Sequence, residues 1–127
     1  MKISNVKIEM NQSIMNLLKD AADRALELTA EAILSDLVSR AVIPKDTGEL
    51  ERNHFVTKVN NMAYQVVSSS VYSRRWYFNL DGATFQKTKN QNAQDHWMDY
   101  YLDGEGKKWI INTYMNFWKK ESRGIIK

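Results

Sequence analysis

The sequence contains no cysteine. That excludes a disulfide framework, a thiolate zinc site and a cysteine nucleophile, and it suits assembly in a reducing cytoplasm. Only two histidines occur, His54 and His96, and they do not stand at the His-x-x-x-His spacing that brings two imidazoles to one metal. Asp95 and His96 are adjacent, so on a helix they point in different directions. Five glycines form no phosphate-binding loop, and Ser68-Ser69-Ser70 lacks the glycines of a nucleophile elbow. No apolar run approaches the roughly 20 residues of a membrane helix. Met1-Lys2-Ile3-Ser4-Asn5 lacks the apolar stretch of an export signal, so none is expected. These absences predict a non-enzyme with no cofactor, no metal, no small-molecule substrate and no membrane.

The 127 residues are 43% hydrophobic and 26% charged, values that fit one globular domain spanning 1–127. Four Trp, six Tyr and four Phe supply large side chains for a core or an interface. Charge is unevenly spread. Residues 1–53 carry seven Lys/Arg against nine Asp/Glu, net −2, and residues 54–127 carry eleven against six, net +5, which together make the overall +3. The plain reading is solubility; the asymmetry also suits head-to-tail contacts between copies, or weak attraction to nucleic acid.

Residues 1–12 read as an N-terminal arm or edge strand, with Ile3, Val6 and Ile8 spaced by polar residues. From Ser13 the period changes. Ile14, Leu17, Leu18, Ala21, Ala25, Leu28, Ala32, Leu37 and Val38 recur three and four apart and predict a long helix over 13–43, roughly 40 Å at about 1.5 Å per residue. Asn11 or Ser13 caps its start, and Pro44, which lacks an N–H, ends it. A β-hairpin is expected over 54–68. With Asn60-Asn61 as a two-residue turn, Phe55, Thr57 and Val59 pair with Val66, Tyr64 and Met62 on one face, and that face packs on the helix. His54, Lys58 and Gln65 then lie on the outer face. Val71–Leu80 fits either a helix or a strand, and Ala83–Phe85 a short strand. The polar stretch Gln86–Gln94 reads as a mobile loop and a candidate contact element. C-terminal helices are expected within 93–122: one over Ala93–Leu102, a break at Asp103-Gly104-Glu105-Gly106, and one over Lys107–Ser122 stopped by Gly124. The expected fold class is α+β, a long N-terminal helix packed on a small antiparallel sheet with two C-terminal helices.

Two stretches invite a chemical reading. Asp46-Thr47-Gly48 matches the triplet of aspartic proteases, where two carboxylates share a proton in an apolar turn. Here Pro44-Lys45 and Glu49-Leu50 flank it and a long helix precedes it, so it reads as a polar turn. Arg74-Arg75 beside Trp76-Tyr77-Phe78, followed by Lys87 and Lys89, mixes cations with aromatics, as single-strand nucleic-acid binders do. The competing reading is core aromatics beside solvated arginines.

Three stretches together carry a family resemblance. They are Pro44-Lys45-Asp46-Thr47-Gly48-Glu49-Leu50 after a long helix, Val71-Tyr72-Ser73-Arg74-Arg75-Trp76-Tyr77-Phe78 after a hairpin, and Asn92-Ala93-Gln94-Asp95-His96-Trp97-Met98 before Lys107-Lys108-Trp109. In this order they resemble the minor capsid protein family of long-tailed phages, within the head–tail joining and tail-completion proteins of the neck. Ser73 stands where that family usually has Ala, Met98 where it has an aromatic, and Asn79 where Gly is common. The resemblance implies a homo-oligomeric ring around the DNA channel, contacting adjacent neck and tail proteins and the packaged DNA. It also implies residence in the virion neck after assembly in the bacterial host cytoplasm. Pro44, Asp46, Thr47, Gly48, Leu50, Tyr72, Trp97 and Trp109 are then structural motif residues. Arg74, Arg75, Lys87 and Lys89 are the candidate contacts with DNA or with a neighbouring subunit.

Overall fold

A computed structural model describes residues 11–45 and 48–125. The architecture is α+β: helix α1 (Gln12–Ser39), a short turn of helix α2 (Glu49–Arg52), strands β1 (His54–Asn60) and β2 (Ala63–Ser68), helix α3 (Ser73–Phe78), a 3-10 turn (Asp99–Leu102) and helix α4 (Gly104–Glu121). The strands form an antiparallel two-stranded sheet. Helix α1 packs along α4 and against both strands. Of the expected arm over 1–12, only Asn11 and Gln12 fall within the described residues.

Asn11 starts α1: its side-chain oxygen accepts from the backbone N–H of Ser13 at 3.0 Å and of Ile14 at 3.2 Å. These first-turn donors have no partner inside the helix, which is why a short polar side chain sits here. Ala21, Ala22, Ala25 and Ala30 are buried, and small side chains let neighbouring elements approach the helix backbone closely. Thr29 is buried too, and its hydroxyl donates to the carbonyl of Ala25 at 2.7 Å. Ile14 and Val38, expected on the buried stripe, are exposed at the two ends.

The helix does not run to Pro44. It ends at Ser39, and Ala41 takes a left-handed φ of 54°. The chain turns early, and the turn carries Val42 and Ile43 off the helix into the core, where both are fully covered. The segment before Trp97 holds them there. The backbone N–H of Asn92 donates to Ala41 and that of Gln94 to Val42, while the Asn92 amide caps the open carbonyl of Arg40 at 2.9 Å. The stretch Gln86–Gln94 is therefore anchored rather than mobile. Asn90 within it is buried, and its amide donates to the Ile43 carbonyl and to Glu51, each at 2.8 Å. Ala83–Phe85 forms no strand.

The hairpin forms over the expected residues but in a shifted register. His54, Val56 and Lys58 pair with Ser68, Val66 and Tyr64, and Asn60 pairs with Ala63, leaving Val59 as the extra residue of a bulge. The turn is Asn61-Met62, with Met62 at φ 63°. One inserted residue flips the alternation of its strand. Tyr64 reaches α1 through Asp23, while His54 and Val66 share its face and border Trp97 and α3; Phe55, expected on that face, is turned to the other and is exposed. The cause lies on α1. The Asp23 carboxylate accepts from the backbone N–H of Met62 at 3.0 Å, the Tyr64 hydroxyl at 2.9 Å and the Lys58 ammonium at 3.1 Å. These bonds fasten the hairpin tip, and together they hold the Asp23 carboxyl below its usual value.

The ambiguous segment 71–80 is helical over Ser73–Phe78. The helix expected over 93–102 is absent: the chain runs through turns with His96 at φ 47°, then forms only the 3-10 turn. The Gly104 and Gly106 expected to separate two helices lie instead in the first turn of α4. Asp103 caps that turn by accepting from the Gly104 N–H at 2.7 Å. Gly106 is required because a Cβ there would run into the Tyr100 carbonyl. The close approach fastens the 3-10 turn onto α4.

Candidate assembly surface

The motif residues meet at Trp97. Its side chain is 1% exposed and packs with Leu37, Val42, Ile43 and Tyr101; Leu50, Trp76, Tyr77 and Trp109 border the cluster. The Trp97 indole N–H donates to Nε2 of His54 at 3.1 Å, and Nδ1 of His54 lies 2.8 Å from the Leu50 carbonyl. Since Nε2 accepts, Nδ1 must carry the proton and donate, which fixes the neutral tautomer. Burial pushes the His54 pKa down, outweighing the Leu50 bond and the nearby Glu51 charge, which raise it. Tyr77 sets its ring edge-on to Trp97 at 4.9 Å. The Tyr101 hydroxyl donates to Asp36 at 2.6 Å, and desolvation drives its pKa upward. Leu50, Trp97 and Trp109 are thus core and border positions.

The remaining motif residues edge a groove of about 400 Å³. Pro44, Gly48, Leu50, Tyr72, Trp76 and Phe85 are among its lining residues. Gly48 has φ 85°, and a Cβ there would crowd the Arg52 guanidinium. Asp46 and Thr47 lie outside the described residues.

Helix α3 lies over Trp97 and turns its other side outward. Val71, Arg74, Arg75, Phe78, Leu80 and Asp81 surround a shallow hollow. Leu80 is 94% exposed and Val71 85%, and Phe78 is half exposed. Arg75 donates to Asp81 at 3.3 Å and lies 4.9 Å from the Trp76 ring centre, so its charge is partly engaged. Arg74 has no ion-pair partner among the described residues. Lys87 and Lys89 are exposed but border neither this hollow nor the groove beneath it. The four cations singled out in the sequence are therefore not gathered in one hollow: Arg74 and Arg75 share the α3 surface, and the two lysines sit on the anchored loop.

A second hollow, of about 730 Å³, opens between the first half of α1, the hairpin tip and α4, with Met15, Leu18, Met62, Tyr114 and Trp118 among its walls. Trp118 crosses from α4 to α1, its indole N–H donating to the Leu18 carbonyl at 3.2 Å, and Tyr114 stacks beside it. No sequence signal pointed here, because the hollow exists only once three distant segments meet. His54, read as an outer-face group, and Asp23, not singled out at all, were missed for the same reason: Trp97 lies 43 residues from His54, and Lys58, Met62 and Tyr64 lie 35 to 41 residues from Asp23. Among the described residues no group of three or more His, Cys, Asp or Glu side chains could hold a metal ion, and no helix is long and apolar enough to cross a membrane. Compared with protein-family models, curated proteins and solved structures, the chain matches none.

Proposed function

We propose that this chain is a structural subunit of the head–tail neck of a long-tailed phage or prophage. In this reading it is a minor capsid or tail-completion protein that forms a ring around the DNA channel. It assembles in the bacterial cytoplasm, contacts adjacent neck and tail proteins, and uses no cofactor and no catalysis. The observation that carries the reading is how the family-like motifs are used. Leu50, Trp97 and Trp109 serve the core around one buried tryptophan, while Val71, Arg74, Arg75, Phe78 and Leu80 of the 71–81 stretch form an outward apolar surface bearing arginines. Large exposed apolar side chains gathered at one place mark a protein contact rather than a solvated face. Ordered core motifs holding up an adhesive surface are what an assembly subunit requires.

Solution mass by light scattering over a concentration series, at low and high salt and with and without DNA, tests the proposal. A discrete oligomer that persists at high salt and without DNA is the expected result. A chain that stays monomeric at every concentration, and whose mass shifts with DNA only at low salt, would replace it. The replacement is a small nucleic-acid-binding module acting through Arg74, Arg75, Lys87 and Lys89, whose affinity must fall steeply with salt.

A further inference from the structure

The α3 surface and the α1–hairpin–α4 hollow lie apart in the fold. Helix α3 sits over the cluster that contains Leu37, whereas Met15, Leu18 and Ala22 line the α1–hairpin–α4 hollow. From Ala22 to Leu37 the helix advances about 22 Å. One copy cannot bring its α3 surface to its own second hollow; two copies can. The surfaces also complement each other. One projects apolar side chains, Leu80 and Val71, with Arg74 unpaired beside them. The other is a recess walled by methionines, Leu18 and two stacked aromatics, with Asp20 at its rim and likewise without an ion-pair partner among the described residues. The other charges at that recess include Lys58 and Asp23, which pair with each other, and Lys19. Methionine side chains adapt their shape to an inserted group, which suits such a recess.

We propose that the α3 surface of one copy seats in the α1–hairpin–α4 hollow of a second copy, Leu80 inserting among Met15, Leu18 and Trp118 and Arg74 meeting Asp20. The contact joins unlike faces, so each copy has one surface of each kind still to offer. Repetition then gives a ring where the rotation closes and a filament where it does not. The inference rests on the ring-subunit reading for its setting and adds the interface.

Two single variants test it. Leu80→Asp spoils the projecting surface, and Leu80 is too exposed for the fold to depend on it. Met15→Asp spoils the recess, at a helix start where an acidic residue is tolerated. Far-UV circular dichroism checks that both stay folded, and solution mass is then measured for the native chain, each variant and an equimolar mixture. The expected result is that the native chain oligomerises, each variant alone is monomeric, and the mixture forms a one-to-one dimer of twice the chain mass, because each variant retains the surface the other has lost. Variants that oligomerise like the native chain would overturn the interface and leave the ring reading standing, as would a mixture that stays monomeric. A native chain that never oligomerises would count against both. The ion pair is tested separately: Arg74→Glu and Asp20→Lys should each weaken association about tenfold, and the combined reversal should restore it. Additive losses in the double variant would remove that pair from the interface.

Discussion

Replacing Trp97 by Phe probes how the core is specified. Phe fills most of the same space but removes the indole N–H that donates to His54 at 3.1 Å. His54 is buried, and its Nε2 would be left without a donor. An unsatisfied buried acceptor costs about 1–3 kcal/mol. The void left by the smaller ring adds about 1–2 kcal/mol, well below the full cost of truncation to Ala. The expected loss is about 2–5 kcal/mol, a large part of the stability of so small a domain. Urea unfolding followed by far-UV circular dichroism, at a concentration where the chain is monomeric, measures it. His54→Leu removes the acceptor instead. The two changes together should destabilise less than the sum of the single ones, by about 1–2 kcal/mol, because the double variant leaves neither polar atom stranded. The same pair makes stability depend on pH. Burial holds the folded-state pKa of His54 below its ordinary 6.5, so the unfolded chain takes up the proton first. Stability from this group is complete above pH 6.5 and falls as the pH drops from there to the folded-state pKa, by at most about 1.4 kcal/mol per pH unit. His54→Leu should abolish that slope. A Trp97→Phe variant within about 0.5 kcal/mol of the native chain, with strict additivity in the pair, would refute the reasoning.

Three further predictions concern the contacts that set the register and the turns. Asp23→Ala should strip hydrogen-exchange protection from the Met62 amide, which donates to this carboxylate. Because bonds from Met62, Tyr64 and Lys58 lower the Asp23 pKa from 3.8, the native clamp should be intact above that value and loosen only as the pH falls through the folded-state pKa. Gly106→Ala should cost about 3 kcal/mol or more in urea unfolding, since the added methyl meets the Tyr100 backbone and one of the two elements must shift. Asn90→Ala should cost about 1–3 kcal/mol by stranding the Ile43 carbonyl, and proteolysis within 86–94 should accelerate because the loop loses its buried anchor.

Local signals carried the fold class. An Asn before a three-and-four-residue apolar period located the start of α1, and β-branched residues around Asn60-Asn61 located the hairpin. What failed was decided at long range. The register turns on Asp23, some forty residues from the tip it holds, and no local pattern distinguishes a two-residue turn at Asn60-Asn61 from one at Asn61-Met62 with a bulge at Val59. Pro44 is an effective helix stop, but α1 had already ended at Ser39, and the turn that follows buries Val42 and Ile43 in the core. Trp97 and Tyr101 stand four apart and suggested a helix; the reach from Trp97 to His54 is met through turns instead. The α3 surface was legible as arginines beside aromatics. The complementary hollow was not, since Met15, Met62 and Trp118 have no relation in sequence.

Electron microscopy of particles from the host that encodes this chain, with the protein carrying a C-terminal tag labelled by gold, tests the neck assignment most directly. The account predicts label at the junction of head and tail, and particles lacking the protein that accumulate as unjoined heads and tails. Label elsewhere on the particle, or particles that assemble and infect normally without the protein, would contradict it.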